Sequence, residues 1–269
     1  MTTPQLVFPP LPELRATIIF GRTITYYDVG SGPPLLLIHG LGGDADEWAF
    51  CFEPLSQSHR VVALDLLGFG RSDKPLIEYT IAGLVEVIDR FLKTLNIKRP
   101  TLIGSSLGGW IASAFGLTHP ESVSRLVLAD SAGVWANLKE LGMDPHVSTR
   151  AHMREVFHRV FYDKRLATDE LVDLAYEQHL ARGDGYTIAS LIRNVGNGGE
   201  SLDSTIGGIQ APTLIIWGQQ DEIIPLGAGE LTHRLIRGSE FVVIPECGHV
   251  PALERSAEFV QHVLRFLAT

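Results

Sequence analysis

The sequence lacks the features that mark several classes of protein. It has two cysteines in 269 residues, so we expect no disulfide framework. No apolar run approaches the ~20 residues that a membrane-spanning helix needs, and residues 1–15 do not join a basic start to an apolar core, as a signal peptide would. No basic run occurs and the formal net charge is −9, which argues against nucleic acid and anionic membranes as partners. We therefore expect a cytoplasmic protein without a membrane span or a nucleic-acid partner.

What the sequence contains is typical of one large α/β domain. It is 45% hydrophobic and 20% charged, and short apolar runs alternate with amphipathic segments. Predicted strands are a hairpin at 16–20 and 23–29 and buried runs at 35–38, 60–66, 101–103, 125–129, 213–217 and 241–244. This alternation predicts a mostly parallel eight-stranded sheet with right-handed crossovers and helices on both faces.

The alternation breaks between residues 134 and 205, where three helical patterns follow one another with no strand. A run of glycine and asparagine at 196–199 is predicted to end the third helix. We interpret the segment as an inserted helical cap, so that residues 1–133 and 206–269 form the core and residues 134–205 form the cap. An ordinary long crossover is the alternative, although short connections are the rule.

Residues 104–108 match the motif G-x-S-x-G between a predicted strand and a predicted helix. A serine at the tip of a sharp strand-to-helix turn projects its hydroxyl clear of the backbone. Glycines flank it because side chains two residues away would collide across the turn. Ser106 is therefore the candidate nucleophile, whereas Ser105 falls at the wrong place in the motif. A glycine-rich turn with a solvated serine is the alternative.

Three further stretches follow predicted strands, and they contain His39, Asp221 and His249. In open α/β sheets, ligands bind beyond the carboxyl ends of the strands. A serine hydroxyl needs a base to remove its proton, and that base needs a carboxylate to orient it. Ser106, Asp221 and His249 supply these roles in the order nucleophile, acid and histidine, which is the order expected of one known arrangement.

With these residues in this order, the chain resembles the α/β-hydrolase fold superfamily. The resemblance extends over nearly the whole length of the chain. The segment HGLGGDADEW at 39–48 and the segment GSSLGG at 104–109 are similar to single-domain carboxylesterases and monoacylglycerol-lipase-like enzymes. The loops after the strands at 213–217 and 241–244 are similar to the acid and histidine loops of that superfamily. The resemblance implies that Leu41 and Leu107 donate their backbone N–H groups to an oxyanion, and that the inserted helices cover an acyl pocket.

Other residues of the same types receive plainer interpretations. Asp130 also ends a strand, and some relatives place the acid there, so it stays an alternative to Asp221. We expect His39 to anchor the oxyanion loop, Asp65 to be structural, and Cys247 to pack in the core. The histidines of the predicted cap have no metal-ligand spacing and are expected at the surface; they are His146, His152, His158 and His179.

The predicted function is hydrolysis of carboxylic esters of short to medium acyl chains through an acyl-enzyme intermediate. The predicted partner is a small-molecule ester, and the predicted assembly is a monomer or a homodimer. A receptor of the same fold that binds a small molecule without turnover is one alternative. Dehalogenases and epoxide hydrolases of this fold need an aspartate at the elbow, and Ser106 excludes them.

The main alternative enzyme is a carbon–carbon bond hydrolase that acts on 2-hydroxy-6-oxo-dienoate products of ring cleavage. Such enzymes resemble this chain but typically carry an asparagine before the nucleophile, a tryptophan after the histidine and an arginine in the cap. This sequence has Ser105 and Val250 at the first two places and no arginine between residues 171 and 177. Arg182 or Arg193 can supply the charge from another direction, so the alternative stays open.

The sequence also predicts that no metal and no organic cofactor takes part. We find no ligand-spaced cluster of His, Cys, Asp and Glu, and no G-x-G-x-x-G follows a predicted strand. Hydrolytic activity should therefore survive prolonged treatment with EDTA, assayed with a chromogenic ester beside an untreated control. A loss that one particular metal restores would contradict this prediction.

Overall fold

A computed structural model of the chain describes residues 6–134, 149–195 and 200–269. In these residues eight strands form one sheet in the order β1-β2-β4-β3-β5-β6-β7-β8. The strands are β1 (Arg15–Ile19), β2 (Arg22–Val29), β3 (Pro34–Ile38), β4 (Arg60–Leu64), β5 (Thr101–Ser105), β6 (Arg125–Ala129), β7 (Thr213–Gly218) and β8 (Glu240–Ile244). β2 pairs antiparallel with β1 and β4, and every other pairing is parallel. The predicted mostly parallel eight-stranded sheet is confirmed.

The described helices lie between and after these strands. They are α1 (Ala49–Ser56), α2 (Ile81–Thr94), α3 (Leu107–Thr118), α4 (Arg150–Val160), α5 (Asp169–Arg182), α6 (Gly185–Val195), α7 (Leu226–Leu235), α8 (Pro251–Glu254) and α9 (Ser256–Leu267). None of the helices in this part of the chain is long and apolar enough to cross a membrane.

The hydrophobic core has two layers because strand side chains alternate between the two faces of the sheet. In β3, Leu36 and Ile38 pack on the face that α2 and α3 cover. Leu35 and Leu37 pack on the opposite face, which α1 and α9 cover. Both faces of the inner parallel strands β3 to β7 are buried, which explains why these strands appear in the sequence as unbroken apolar runs.

The structure departs from the predicted elements at several places near the site. The helix that the sequence predicts after the elbow starts directly at Leu107, because the turn is completed within one residue, Ser106. The strand predicted to reach Leu66 ends at Leu64, where the chain turns away so that Asp65 binds the backbone N–H of Ala45. The short helix α8 was not predicted.

The predicted cap contains α4, α5 and α6 and no strand among its described residues. Each of its first two helices begins at a threonine whose hydroxyl accepts a backbone N–H: Thr149 for α4 and Thr168 for α5. Residues 135–148, which include His146, and the predicted terminator at 196–199 lie outside the described residues. The division into core and cap stays a prediction.

Two glycines allow β3, β5 and α3 to approach one another closely. A Cβ atom on Gly108 would lie 2.0 Å from the carbonyl oxygen of Ile38, and one on Gly104 would lie 2.3 Å from the carbonyl oxygen of Gly108. These neighbours are backbone atoms, which cannot move aside without shifting a strand or a helix. The motif glycines are therefore required by packing around the turn.

We predict that Gly108→Ala lowers the free energy of unfolding by about 2 kcal/mol or more. The backbone atoms that the new methyl group would overlap cannot move without shifting a strand or a helix. Gly185→Ala is the matched control, since a Cβ there meets nothing within 4 Å and alanine favours the helix. Urea denaturation followed by circular dichroism measures both variants. Equal midpoints for the two variants would contradict the packing argument.

Candidate active site

Ser106 occupies a strained turn between β5 and α3. Its φ is 51°, in the left-handed region that costs a non-glycine residue on the order of 1–3 kcal/mol. Its backbone N–H donates to the carbonyl oxygen of Ala129 over 2.9 Å, and its carbonyl oxygen accepts from the N–H of Ala132 over 3.0 Å. These bonds to the end of β6 hold the turn, and the half-buried Ser106 side chain lines a cavity.

His249 and Asp221 form a buried hydrogen-bonded pair. Nδ1 of His249 lies 2.7 Å from Oδ2 of Asp221, and both residues are buried. The other oxygen, Oδ1 of Asp221, accepts the backbone N–H groups of Ile223 and Ile224 over 2.7 and 3.0 Å. With its proton on Nδ1, the imidazole keeps Nε2 as a base, which is the tautomer that the role predicted for His249 requires.

Asp130 lies beside this pair but does not take the place of Asp221. It is 0% exposed, and its Oδ1 accepts the backbone N–H of Gly218 over 2.9 Å. Burial, followed by the charge of Asp221, raises the pKa of Asp130 well above its usual value. The geometry therefore favours Asp221 over Asp130 as the partner of His249.

Asp130, Asp221 and His249 each offer a ligand atom, and these atoms lie within 4.8 Å of one another. The sequence analysis did not anticipate this grouping. The Nδ1 atom of His249 is already bonded to Asp221, so a metal would have to displace that bond. The predicted absence of a metal stays a prediction.

The loop before Leu41 is fixed by two side chains. The Nδ1–H of His39 donates to the carbonyl oxygen of Gly40 over 2.7 Å, and Nε2 accepts the N–H of Leu66 over 3.0 Å. Burial lowers the pKa of His39, which favours this neutral form. Oε2 of Glu47 accepts the N–H of Gly40 over 3.0 Å. His39 thus anchors the loop as expected, and Glu47 is a second anchor that the sequence analysis missed.

The cavity beside Ser106 has a volume of about 540 Å³ and is lined mainly by apolar side chains. Leu107, Trp110 and Val250 contribute from the core, and Leu174 and Leu191 contribute from the predicted cap.

The N-terminal segment adds Leu6, Phe8 and Leu11, a contribution that no sequence pattern indicated. Leu41, Ser105, Ser106 and His249 lie on the same lining.

One ion pair joins α5 to the loop after Leu41 at this cavity. Arg182 donates to Oδ2 of Asp44, and their side chains are 17% and 7% exposed. Arg182 also donates to Oε1 of Gln178 over 3.1 Å. Burial is the main cause that raises the pKa of Asp44 to about 6. Of the two arginines proposed from the sequence, Arg182 lies on the cavity lining and Arg193 does not.

Glu254 of α8 connects the histidine loop to the end of α4. Its carboxylate accepts three backbone N–H groups, from Gly248 over 2.7 Å, Tyr162 over 3.1 Å and Asp163 over 2.8 Å. The N–H of His249 also donates to the carbonyl oxygen of Val160 over 2.7 Å. The position of His249 is therefore tied to the predicted cap, a link that no motif signalled.

The remaining residues considered from the sequence lie in structural roles. Asp65 binds the guanidinium of Arg71 and the N–H of Ala45. Cys247 is buried in the core, and burial raises the pKa of its thiol. His179 is not simply at the surface, because it lines the cavity with Nδ1 at 3.4 Å from Oδ1 of Asp184.

Comparison with known proteins places this geometry in context. The family model of the alpha/beta hydrolase fold matches residues 33–166 and 160–256. The chain is 34% identical to the 2-hydroxymuconate semialdehyde hydrolase of Pseudomonas sp. strain CF600, over 96% of this chain and 95% of the relative.

Two solved structures share the architecture closely. The meta-cleavage product hydrolase of Pseudomonas fluorescens IP01 is 30% identical with a TM-score of 0.85, over 94% of this chain and 97% of that one. A bacterial membrane phospholipase A is 31% identical with a TM-score of 0.85, over 95% of this chain and 86% of that one. Two of these three proteins are named as hydrolases of 2-hydroxymuconate semialdehyde or of a meta-cleavage product.

We predict that Asp221→Asn lowers turnover by on the order of 10⁴, because the amide would hold His249 in the wrong tautomer. The control is Asp203→Asn, an exposed aspartate in the same part of the sequence. Steady-state kinetics on any accepted substrate measures both. Near-normal turnover in Asp221→Asn would contradict the role predicted for Asp221.

Proposed function

This chain is a hydrolase that belongs to the α/β-hydrolase fold family, and we propose that it cleaves a carbon–carbon bond in 2-hydroxy-6-oxo-dienoates. One observation carries the choice of substrate class. Arg182, whose guanidinium pairs with Asp44, lies on a cavity that is otherwise mostly apolar and that also contains Ser106. Such a substrate has a carboxylate at one end and an acyl group at the other, and an arginine is suited to bind the carboxylate.

The relatives support the same choice. A second protein, the 2-hydroxy-6-oxo-2,4-heptadienoate hydrolase of Pseudomonas putida F1, is 33% identical over 94% of this chain and 96% of its own length. Likeness over nearly the whole of both chains includes the segment that forms the cavity.

The proposed reaction begins with ketonisation of the dienol. The proton of the 2-hydroxyl is lost and C5 gains a proton, which makes C5 a competent leaving carbon. Ser106 Oγ then adds to the C6 carbonyl carbon while His249 Nε2 takes its proton. The N–H groups of Leu41 and Leu107 donate to the oxyanion that forms at C6.

Collapse of this adduct breaks the C5–C6 bond. The electron pair passes from C5 through the conjugated double bond to the 2-oxo oxygen, and the proton held by His249 restores the dienol. The acyl group stays on Ser106 as an ester. Water then attacks that ester with His249 as base, releasing a carboxylic acid and the free serine, so one water is consumed in each turnover.

Ester hydrolysis is the second candidate, and a specific observation favours it. Ser105 and Val250 line the cavity at the two places where the ring-cleavage hydrolases typically carry asparagine and tryptophan. A plain ester needs only the nucleophile, the base and the two oxyanion donors. The two candidates share the attack on a carbonyl carbon, so they differ in the leaving group and in the need for Arg182.

We expect kcat/KM for a 2-hydroxy-6-oxo-dienoate to exceed that for p-nitrophenyl esters from acetate to decanoate. Arg182→Gln should raise KM for the dienoate by roughly 10- to 100-fold more than KM for the uncharged esters, the value of a hydrogen bond to a charged group, because loss of the ion pair with Asp44 affects both substrates alike. Arg165→Gln is the control, because Arg165 is exposed and pairs with Asp163. Ester hydrolysis would replace the proposal if the protein prefers the esters and Arg182→Gln does not weaken binding of the dienoate selectively.

A second prediction tests the nucleophile and is common to both candidates. Ser106→Ala should lower turnover by roughly 10⁴-fold or more, and a fluorophosphonate should label a single residue, Ser106, identified by mass spectrometry of the digest. Ser105→Ala is the neighbouring control and should keep the label. Labelling of Ser105, or full activity in Ser106→Ala, would overturn the assignment.

A further inference from the structure

We propose that Asp130 is a neutral carboxylic acid that donates a hydrogen bond to Asp221 and so positions the partner of His249. Asp130 is a positioning residue in this account, since it acts through Asp221 and touches no substrate. The kinetic part of the proposal rests on the proposed hydrolase function, whereas its protonation state can be tested without any substrate.

The first observation is the placement of Asp130. It follows β6 with a φ of 43°, and its N–H donates to the carbonyl oxygen of Ile216 over 3.0 Å. The side chain is fully buried, with Oδ1 bonded to the N–H of Gly218. Oδ2 is buried and has no hydrogen-bond partner by normal criteria among the described residues, although Asp221 and His249 offer atoms within 4.8 Å of this carboxyl. The Asp130 carboxyl therefore adjoins the Asp221 carboxyl and keeps one buried oxygen unpartnered.

The second observation is the imbalance of donors between the two carboxyl groups. Asp221 receives three bonds, from the Nδ1–H of His249 and from the N–H groups of Ile223 and Ile224. Asp130 receives one, from Gly218. Two carboxylates this close cannot both stay ionised away from water. The group with more donors keeps the charge, so the shared proton belongs on Asp130.

The groups that surround Asp130 do not favour its ionised form. The titratable groups that act on it are Asp221, Glu254 and the Cys247 thiol, together with His249 on the far side of Asp221. Glu254 is committed to three backbone N–H groups. Burial and the charge of Asp221 raise the pKa of Asp130 well above its usual value, in agreement with the geometry.

A neutral Asp130 has a consequence for the base. Its O–H adds a donor to Asp221 and disperses the negative charge that faces the imidazole, so His249 is protonated less readily. An ionised Asp130 would do the opposite, because a second negative charge would favour the imidazolium. The two states therefore predict opposite effects when Asp130 is replaced.

The kinetic test compares Asp130→Asn with Asp130→Leu through the pH dependence of kcat/KM. The asparagine amide can donate to Asp221 and accept from Gly218, so we expect the acid limb of the profile to stay in place. Leucine cannot donate, so the acid limb should move to higher pH by about 1 unit. If Asp130 is ionised, both variants would move the acid limb to lower pH, and that result would overturn the proposal.

The second test measures thermal unfolding against pH and needs no activity. A carboxyl with a raised pKa in the folded protein keeps a proton that the unfolded chain releases above about pH 4. Its contribution to stability is therefore lost as the pH rises from that point. The Tm of Asp130→Asn minus that of the wild type should grow between pH 4 and pH 8. A difference that is constant over this range would contradict the proposal, even if every substrate assay had failed.

Discussion

The close contact between α3 and the carboxyl ends of β3 and β5 is the constraint on which the rest of the site depends. Gly108 lies directly against the backbone of Ile38, and this contact sets the distance between the elbow and the loop that follows β3. That loop carries Leu41, and the elbow carries Ser106 and Leu107. Two candidate oxyanion donors from distant parts of the sequence are thereby brought to the lining of the cavity that contains Ser106.

The strain at Ser106 follows from the same constraint. Ser106 keeps its left-handed φ because its N–H and carbonyl groups are hydrogen-bonded to residues at and just after the end of β6. These hydrogen bonds offset the free energy that the turn costs. Asp130, which follows β6, has a left-handed φ as well. The two strained residues thus directly follow the neighbouring strands β5 and β6.

Polar contacts, rather than apolar packing alone, tie the predicted cap to this frame. Arg182 holds Asp44 in the loop after the oxyanion segment, and Glu254 joins the histidine loop to the end of α4. The first contact lies beside the loop that carries Leu41, and the second contact holds the loop that carries His249. The positions of α4 and α5 are therefore coupled by hydrogen bonds to His249 and to the loop that carries Leu41.

The sequence predicts the sheet and the elbow better than it predicts the residues that line the cavity. Apolar runs depend on local periodicity, and the elbow motif depends on local sterics, so the sheet and Ser106 follow from neighbouring residues. Arg182 and Asp44 are 138 residues apart, and Leu6 to Leu11 reach the cavity through the tertiary fold. No local pattern encodes such contacts, so the sequence left the role of Arg182 open and did not indicate the N-terminal contribution to the cavity.

The most direct test of the central claim is product analysis in water labelled with oxygen-18. The wild-type protein is incubated with a 2-hydroxy-6-oxo-dienoate, and the products are identified by mass spectrometry. We predict two fragments, a 2-hydroxydienoate without label and a carboxylic acid that carries one labelled oxygen from the water that cleaves the acyl-enzyme. Recovery of the intact dienoate from a preparation that hydrolyses p-nitrophenyl esters would contradict the account.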